Sequence, residues 1–175
     1  MTNTPTDAPI DAERRDLLEV LGKHRMLFTQ TTVGMTDDQA RLRPTVSALS
    51  LGGLIKHVAR VESSWVDFIL EGPKQRDFSD PEVLADHARS FELLEDETLE
   101  GVLATYDEAA ARTDALVASI SSLDASQPLP AAPWFEPGAR WSARRVFMHV
   151  VAETAQHAGH ADIIREAIDG AKTMG

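Results

Sequence analysis

A chain of 175 residues that is 43% hydrophobic has material for one sizeable core and too little for two, so a single domain is expected. A formal net charge of -11 argues against the basic stripe of a nucleic-acid surface and against an anionic membrane; no apolar run approaches the ~18 residues of a transmembrane helix, and a cytoplasmic protein is expected. With no cysteine there is no disulfide, thiolate ligand or cysteine nucleophile, so any metal must rest on His and carboxylate, and any reactive sulfur must arrive on a second molecule.

Residues 1–10, rich in Thr, Pro and Asp and lacking the regions of a secretory signal, read as a disordered leader, which leaves 11–175 as the domain. Leu17, Leu18, Leu21, Met26, Leu27 and Phe28 recur at roughly helical spacing and predict a first helix from Asp11 to Val33. TDDQARLRPTVSAL holds one short helical turn before Pro44 breaks it, and Ser50 is then the cap of the next helix. That second helix, LGGLIKHVARVESSWVDFILEG, sets Leu51, Leu54, Ile55, Val58, Val61, Trp65, Phe68 and Ile69 on one side and Lys56, Arg60, Ser63 and Asp67 on the other. His57 lies on the edge of its apolar face, and Trp65 reads as a core anchor.

Residues 73–96 form a polar, acidic connection with a short helix near Pro81 to Phe91, a crossover of the kind that joins parallel bundle neighbours. The run FELLEDETLE is most simply a solvated face. A third long helix is predicted over 98–121, rich in Ala, followed by a loop, LDASQPLPAAPWFEPGAR, broken by four prolines. Trp134, Phe135 and Trp141 flank that loop, either covering a site or packing it down. Ser142 caps a fourth helix that ends near Gly170, and Arg165 reads as an ion-pair partner. No strand pattern or internal repeat is visible. Four long amphipathic helices with short accessory pieces give an all-α bundle, a usual home for metal sites.

The fourth helix carries the chemistry. His149, Glu153, His157 and His160 fall within about 80° of arc beside Val146, Val150, Ala161, Ile164 and Ile168, interrupting an apolar seam. Buried polar groups are costly unless paired or bound to a cation, and a divalent metal is the simplest partner for this cluster. His149 and His157 are about 12 Å apart along the axis, too far to share one ion. Only the neighbouring pairs His149/Glu153, Glu153/His157 or His157/His160 can do so, with a third ligand from another helix. His57 is better placed for that than His24 or His87. Two His and one Glu suit Zn²⁺, with Ni²⁺ or Fe²⁺ as alternatives, and leave positions open for water or substrate. Neither the Glu-x-x-His pairs of di-iron bundles nor a HExxH motif is present. The bland alternatives are a solvated Glu/His pair or a core histidine satisfied by a carbonyl or carboxylate.

LGGLIKHVARVESSWV together with RWSARRVFMHVVAETAQHAGHADIIREAIDG resembles the DinB-like superfamily of metal-binding four-helix bundles, over nearly the whole chain. The resemblance is to its thiol-dependent S-transferases and to the metal domain of mycothiol-dependent maleylpyruvate isomerase. It implies a four-helix bundle with a long crossover and short accessory helices. It further implies a divalent metal on His57, Glu153 and His157, the last two lying just before the small-residue step AGH. Many relatives carry His at the first of those two positions; the isomerase-like branch has Glu, as here. The resemblance also implies a low-molecular-weight thiol of the mycothiol kind, an electrophilic second substrate and a homodimer. His160 falls where relatives often carry a polar residue. His160 and His149 are therefore expected to face substrate and to orient a ligand or move a proton in catalysis, with a purely structural role for each as the alternative. The rival expectation is a non-catalytic metal-binding or small-molecule-binding bundle acting in stress response.

Overall fold

In the computed structural model, residues 10–74, 80–131 and 135–173 are described. All of the expected leader except Ile10, and Trp134, lie outside them. Helix α1 (Ala12–Gln30) starts where Asp11 accepts the Arg14 amide and stops three residues short of the predicted Val33. Thr31 and Thr32 turn their hydroxyls onto the carbonyls of Phe28 and Thr29, both at 2.7 Å, and Gly34 takes a positive φ of 75° that L side chains rarely adopt. The one-turn helix α2 (Asp37–Arg41) opens with a reciprocal capping box between Thr36 and Gln39. Helix α3 (Leu51–Glu71) is capped by Ser50 as predicted, α4 (Pro81–Arg89) by Asp80 with Pro81 at its first turn, and α5 (Leu99–Ser119) by Thr98.

The proline-rich loop departs from the sequence reading. Ser126–Pro128 (β1) pairs antiparallel with Arg140–Ser142 (β2), in a register that sets Gln127 opposite Trp141. Three residues a side are too few to show a period-2 pattern, so only the pairing reveals the strands. The pair fixes Trp141 immediately before Ser142, which caps the 27-residue helix α6 (Ala143–Asp169).

Two apolar clusters define how the helices run. One gathers Phe28 from the end of α1, Leu51, Leu54, Ile55 and Val58 from the start of α3, Leu99 and Val102 from the start of α5, and Ala161 and Ile164 from late α6. The other gathers Leu21 from α1, Phe68 and Ile69 from the end of α3, Val117 from the end of α5, and Val146, Phe147 and Val150 from early α6. Hence α1 runs parallel to α6, and α3 parallel to α5 through the crossover that contains α4. Around the bundle the order is α1, α6, α3, α5, with α1 diagonal to α3.

Between the clusters lies a polar layer absent from the sequence reading. Arg25, 7% exposed, reaches across the diagonal to the fully buried Glu62, Nη2 to Oε1 at 2.5 Å, and its Nη1 meets Asp114 at 2.8 Å. Thr113 is buried there with its hydroxyl on the Ala109 carbonyl. Tyr106 and Thr154 are buried side by side there. Met26, one of the apolar residues whose spacing predicts the first helix, is exposed.

Candidate metal centre

The second turn of α3 presents His57, and the first turn determines what lies over it. A Cβ on Gly53 would sit 1.9 Å from the Phe91 carbonyl oxygen, and one on Gly52 2.7 Å from Leu93 Cδ2. The Gly-Gly step therefore lets residues 91–93 lie directly on the helix. That places the Phe91 ring flat against the His57 imidazole, centroids 3.9 Å apart and planes 20° apart. His57 is fixed in orientation and largely removed from water, at 9% exposure. FELLEDETLE is thus only partly a solvated face: Leu93 is in the core, and Glu97 pairs with Lys56 at 2.7 Å and accepts the Leu94 amide.

Across the α3/α6 groove, Glu153 and His157 stack one helical turn apart. The His157 ring stands edge-on to His57 with centroids 5.1 Å apart, and its Nε2 is 3.6 Å from Glu153 Oε2. One ligand atom each from His57, Glu153 and His157 fall within 4.8 Å of one another, so the structure brings together the three residues that the resemblance implied. Donors on a tetrahedral ion with ~2.0–2.1 Å bonds stand about 3.3 Å apart, a closure of roughly 1.5 Å at most and within reach of rotamer adjustment.

The protonation states suit a cation. Burial, reinforced by the neighbouring His157, pushes the His57 pKa down to about 4, so the ring is neutral at physiological pH with a lone pair to offer. The neighbouring His157, its Nε2 aimed at the carboxylate, holds the Glu153 carboxyl below the usual carboxylate range despite its partial burial. A neutral imidazole and an ionised carboxylate are already in the forms that ligate.

His149 and His160 lie on either side of this set. His149 Nε2 is 3.5 Å from Glu153 Oε1, and burial lowers its pKa against the pull of that carboxylate. His160 Nδ1 is 3.4 Å from His157 Nδ1, the ring nitrogen facing away from Glu153. An imidazole that ligates through one nitrogen ordinarily uses the other to hold a partner, and His160 occupies that place. His24 on α1 is not in the set. His87, on α4, stands edge-on to Phe91 at 5.4 Å, nearer the centre than its sequence position suggested.

Aromatic side chains wall the other flank. Trp65 is half-buried, not a fully enclosed core anchor; it stacks on Trp141, centroids 4.9 Å apart, and both indoles meet His149 edge-on at 5.0 and 5.1 Å. Phe135 adds an edge to Trp141 at 5.9 Å. The end of the proline loop therefore lines the groove. Sequence reasoning missed Phe91, whose only signal was the Gly-Gly step. It also missed Glu62, although Glu62 keeps the register of Ile55, Val66 and Ile69.

Comparison with known proteins places these features in context. The family model described as mycothiol-S-transferase matches residues 16–170. No curated protein matches. Among solved structures, one described as the conserved protein of locus from Enterococcus faecalis aligns with a TM-score of 0.62 at 19% identity, over 90% of this chain and 97% of its own. YfiT from Bacillus subtilis, described as "a probable metal-dependent hydrolase with an unusual four-helix bundle topology", aligns with a TM-score of 0.64 at 18% identity, over 92% and 90% of the two chains. At those identities the likeness is one of fold: a four-helix bundle.

Proposed function

The chain belongs to the DinB-like mycothiol-S-transferase family, and from that premise we propose that it is a metal-dependent thiol S-transferase. In this reading His57, Glu153 and His157 hold a divalent cation, Zn²⁺ before Ni²⁺ or Fe²⁺, and a low-molecular-weight thiol of the mycothiol kind is joined to an electrophile. One observation carries the reading: three nitrogen and carboxylate donors converge within 4.8 Å, in a chain with no cysteine of its own. A divalent cation there supplies Lewis acidity that makes an incoming thiol ionise near neutral pH.

The chain's own residues do the rest. Phe91 holds the His57 ring and keeps water from its face. Glu153, between His149 and His157, keeps one negative charge at the centre. His160 and His149 take the proton released by the thiol, and return it to the leaving group as the carbon–sulfur bond forms. No helix among the described residues is long and apolar enough to cross a membrane; a cytoplasmic homodimer is part of the proposal.

The test uses untagged protein. One divalent ion per chain is expected by elemental analysis, and cobalt substitution is expected to give a visible spectrum that shifts when a small thiol is added. A chain that binds no metal would sink the proposal. A cobalt spectrum indifferent to every thiol would leave a metal-binding bundle without transferase chemistry.

A further inference from the structure

The groove beside the metal centre ends in a cation with no role so far. Arg145, Glu153 and His157 stand in i,i+4 steps on α6 with His149 between the first two, so they share one face, and Arg145 is about 12 Å from Glu153 along the axis. The Arg145 guanidinium lies over the Trp141 ring, Cζ 4.3 Å from the centroid. Trp141 is in turn stacked on Trp65 and anchored by the β1/β2 pair. Trp141 also meets His149 edge-on, centroids 5.1 Å apart, so the guanidinium on its ring borders the same groove.

Arg145 is exposed and has no carboxylate partner among the described residues. Its helix neighbours differ: Arg144 is bound by both Glu13 and Asp124, and Arg165 pairs with Asp169 at 2.9 Å. Other exposed cations among the described residues also lack an ion pair; what sets Arg145 apart is its seat on the Trp141 ring, on the α6 face that carries the metal donors. Stacking on an indole restrains the group's plane while leaving its N–H edge free, and that edge is the fork that grips a carboxylate through two parallel hydrogen bonds.

Resting on the metal-dependent reading above, we propose that Trp65, Trp141 and Arg145 form a substrate subsite for an elongated organic acid. Its carboxylate is held by Arg145, its apolar middle lies along the two indoles, and its reacting end reaches the His57–Glu153–His157 donors. The separation along α6 sets the ligand's length: the carboxylate is on the order of 10–15 Å from the reacting atom. Acids of two or three carbons cannot span it.

Cobalt-substituted protein titrated with 8-mercaptooctanoate and with 8-mercaptooctan-1-ol separates the outcomes. The acid is expected to bind about tenfold more tightly than the alcohol, a preference that 3-mercaptopropionate over 3-mercaptopropan-1-ol does not show. Arg145→Gln is expected to abolish the preference without changing the affinity for the alcohol, and Arg145→Lys to restore part of it. Equal binding of acid and alcohol by the unaltered protein, or a preference that survives Arg145→Gln, overturns the subsite. If no thiol perturbs the cobalt spectrum, the transferase reading fails, and the subsite is decided by tryptophan fluorescence. Octanoate is then expected to change the emission at concentrations where octanol does not, and to lose that effect in Arg145→Gln. A response shared by octanol, or retained in the variant, overturns the subsite there too.

Discussion

Two polar clusters interrupt the apolar interior of this bundle, and they solve the problem of buried charge in opposite ways. Across the diagonal of the core, Arg25, Glu62 and Asp114 bring their own counter-charges. Burial acts against the Arg25 charge, the Glu62 and Asp114 carboxylates together outweigh it, and the guanidinium pKa is raised. At the α3/α6 groove, His57, Glu153 and His157 bring electron pairs and one negative charge focused on a small volume. The first cluster carries its own cation, Arg25, against the buried Glu62, while the second carboxylate, Asp114, is 44% exposed and reaches water; the pairing serves register, since a misaligned α1 and α3 would strand a charge in the core. The second is arranged for a cation from outside. Polar residues on a core stripe thus do not by themselves mark a functional site; what distinguishes this one is a converging donor set that contains no cation of its own.

Breaking each cluster should separate the two roles. The largest effect is expected from Glu62→Ala, which removes the buried partner of Arg25 and leaves it only the half-exposed Asp114; it should cost about 3–5 kcal/mol of stability in urea unfolding, with metal content per folded molecule unchanged. Replacing Arg25 and Glu62 together by Met and Leu should recover most of that loss. If Glu62→Ala instead removed the metal from protein that remained folded, the clusters would be one site and the contrast would fail. Next comes His57→Ala, expected to weaken divalent-metal affinity by more than about 100-fold, since it removes a ligand outright, while His24→Ala leaves it unchanged by equilibrium dialysis.

The metal centre should also declare itself in pH dependence. For metal-stripped protein, the unfolded chain binds a proton on His57 near the ordinary 6.5, whereas the folded chain does so only near about 4. Stability therefore rises with pH across that window and is lost as pH falls through it, by on the order of 2–3 kcal/mol in urea titrations at stepped pH. His57→Phe should flatten most of the slope. The smallest effects contrast two glycines. Gly53→Ala drives a methyl group into the Phe91 carbonyl and should cost about 1–3 kcal/mol while loosening the metal centre. Gly22→Ala, with nothing within 4 Å of its Cβ, should raise the melting temperature through a helix-propensity gain of up to about 1 kcal/mol.

Features set by local chemistry were legible in the chain. Ser50 and Ser142 cap the helices they were expected to cap, because a hydroxyl on the third amide is a local interaction. The i,i+4 step that pairs Glu153 with His157 is a property of any helix, and axial rise alone ruled out His149 and His157 as ligands of one ion. Features made by long-range packing were not. Nothing near Phe91 announces that it will lie on His57, because the contact depends on two glycines some forty positions earlier. Glu62 and Arg25 had the register of core residues and were overlooked because charge is a strong argument for the surface; only the pairing, between residues 37 positions apart, overrides it. The β1/β2 pair and the placement of Trp141 belong to the same class.

The parallel course of α3 and α5, reached through the long crossover, puts His57 and its partners Glu153 and His157 at distant points along one polypeptide. A cation gripped by all three ties the ends of a loop of roughly 100 residues, and loops of that length are where a tether restricts the unfolded chain most. The ion would then act as a removable staple, whose grip is available only after the last helix has docked. Chelation should accordingly speed unfolding much more than it slows refolding, so an ion held by these three residues would also govern how long the bundle stays closed.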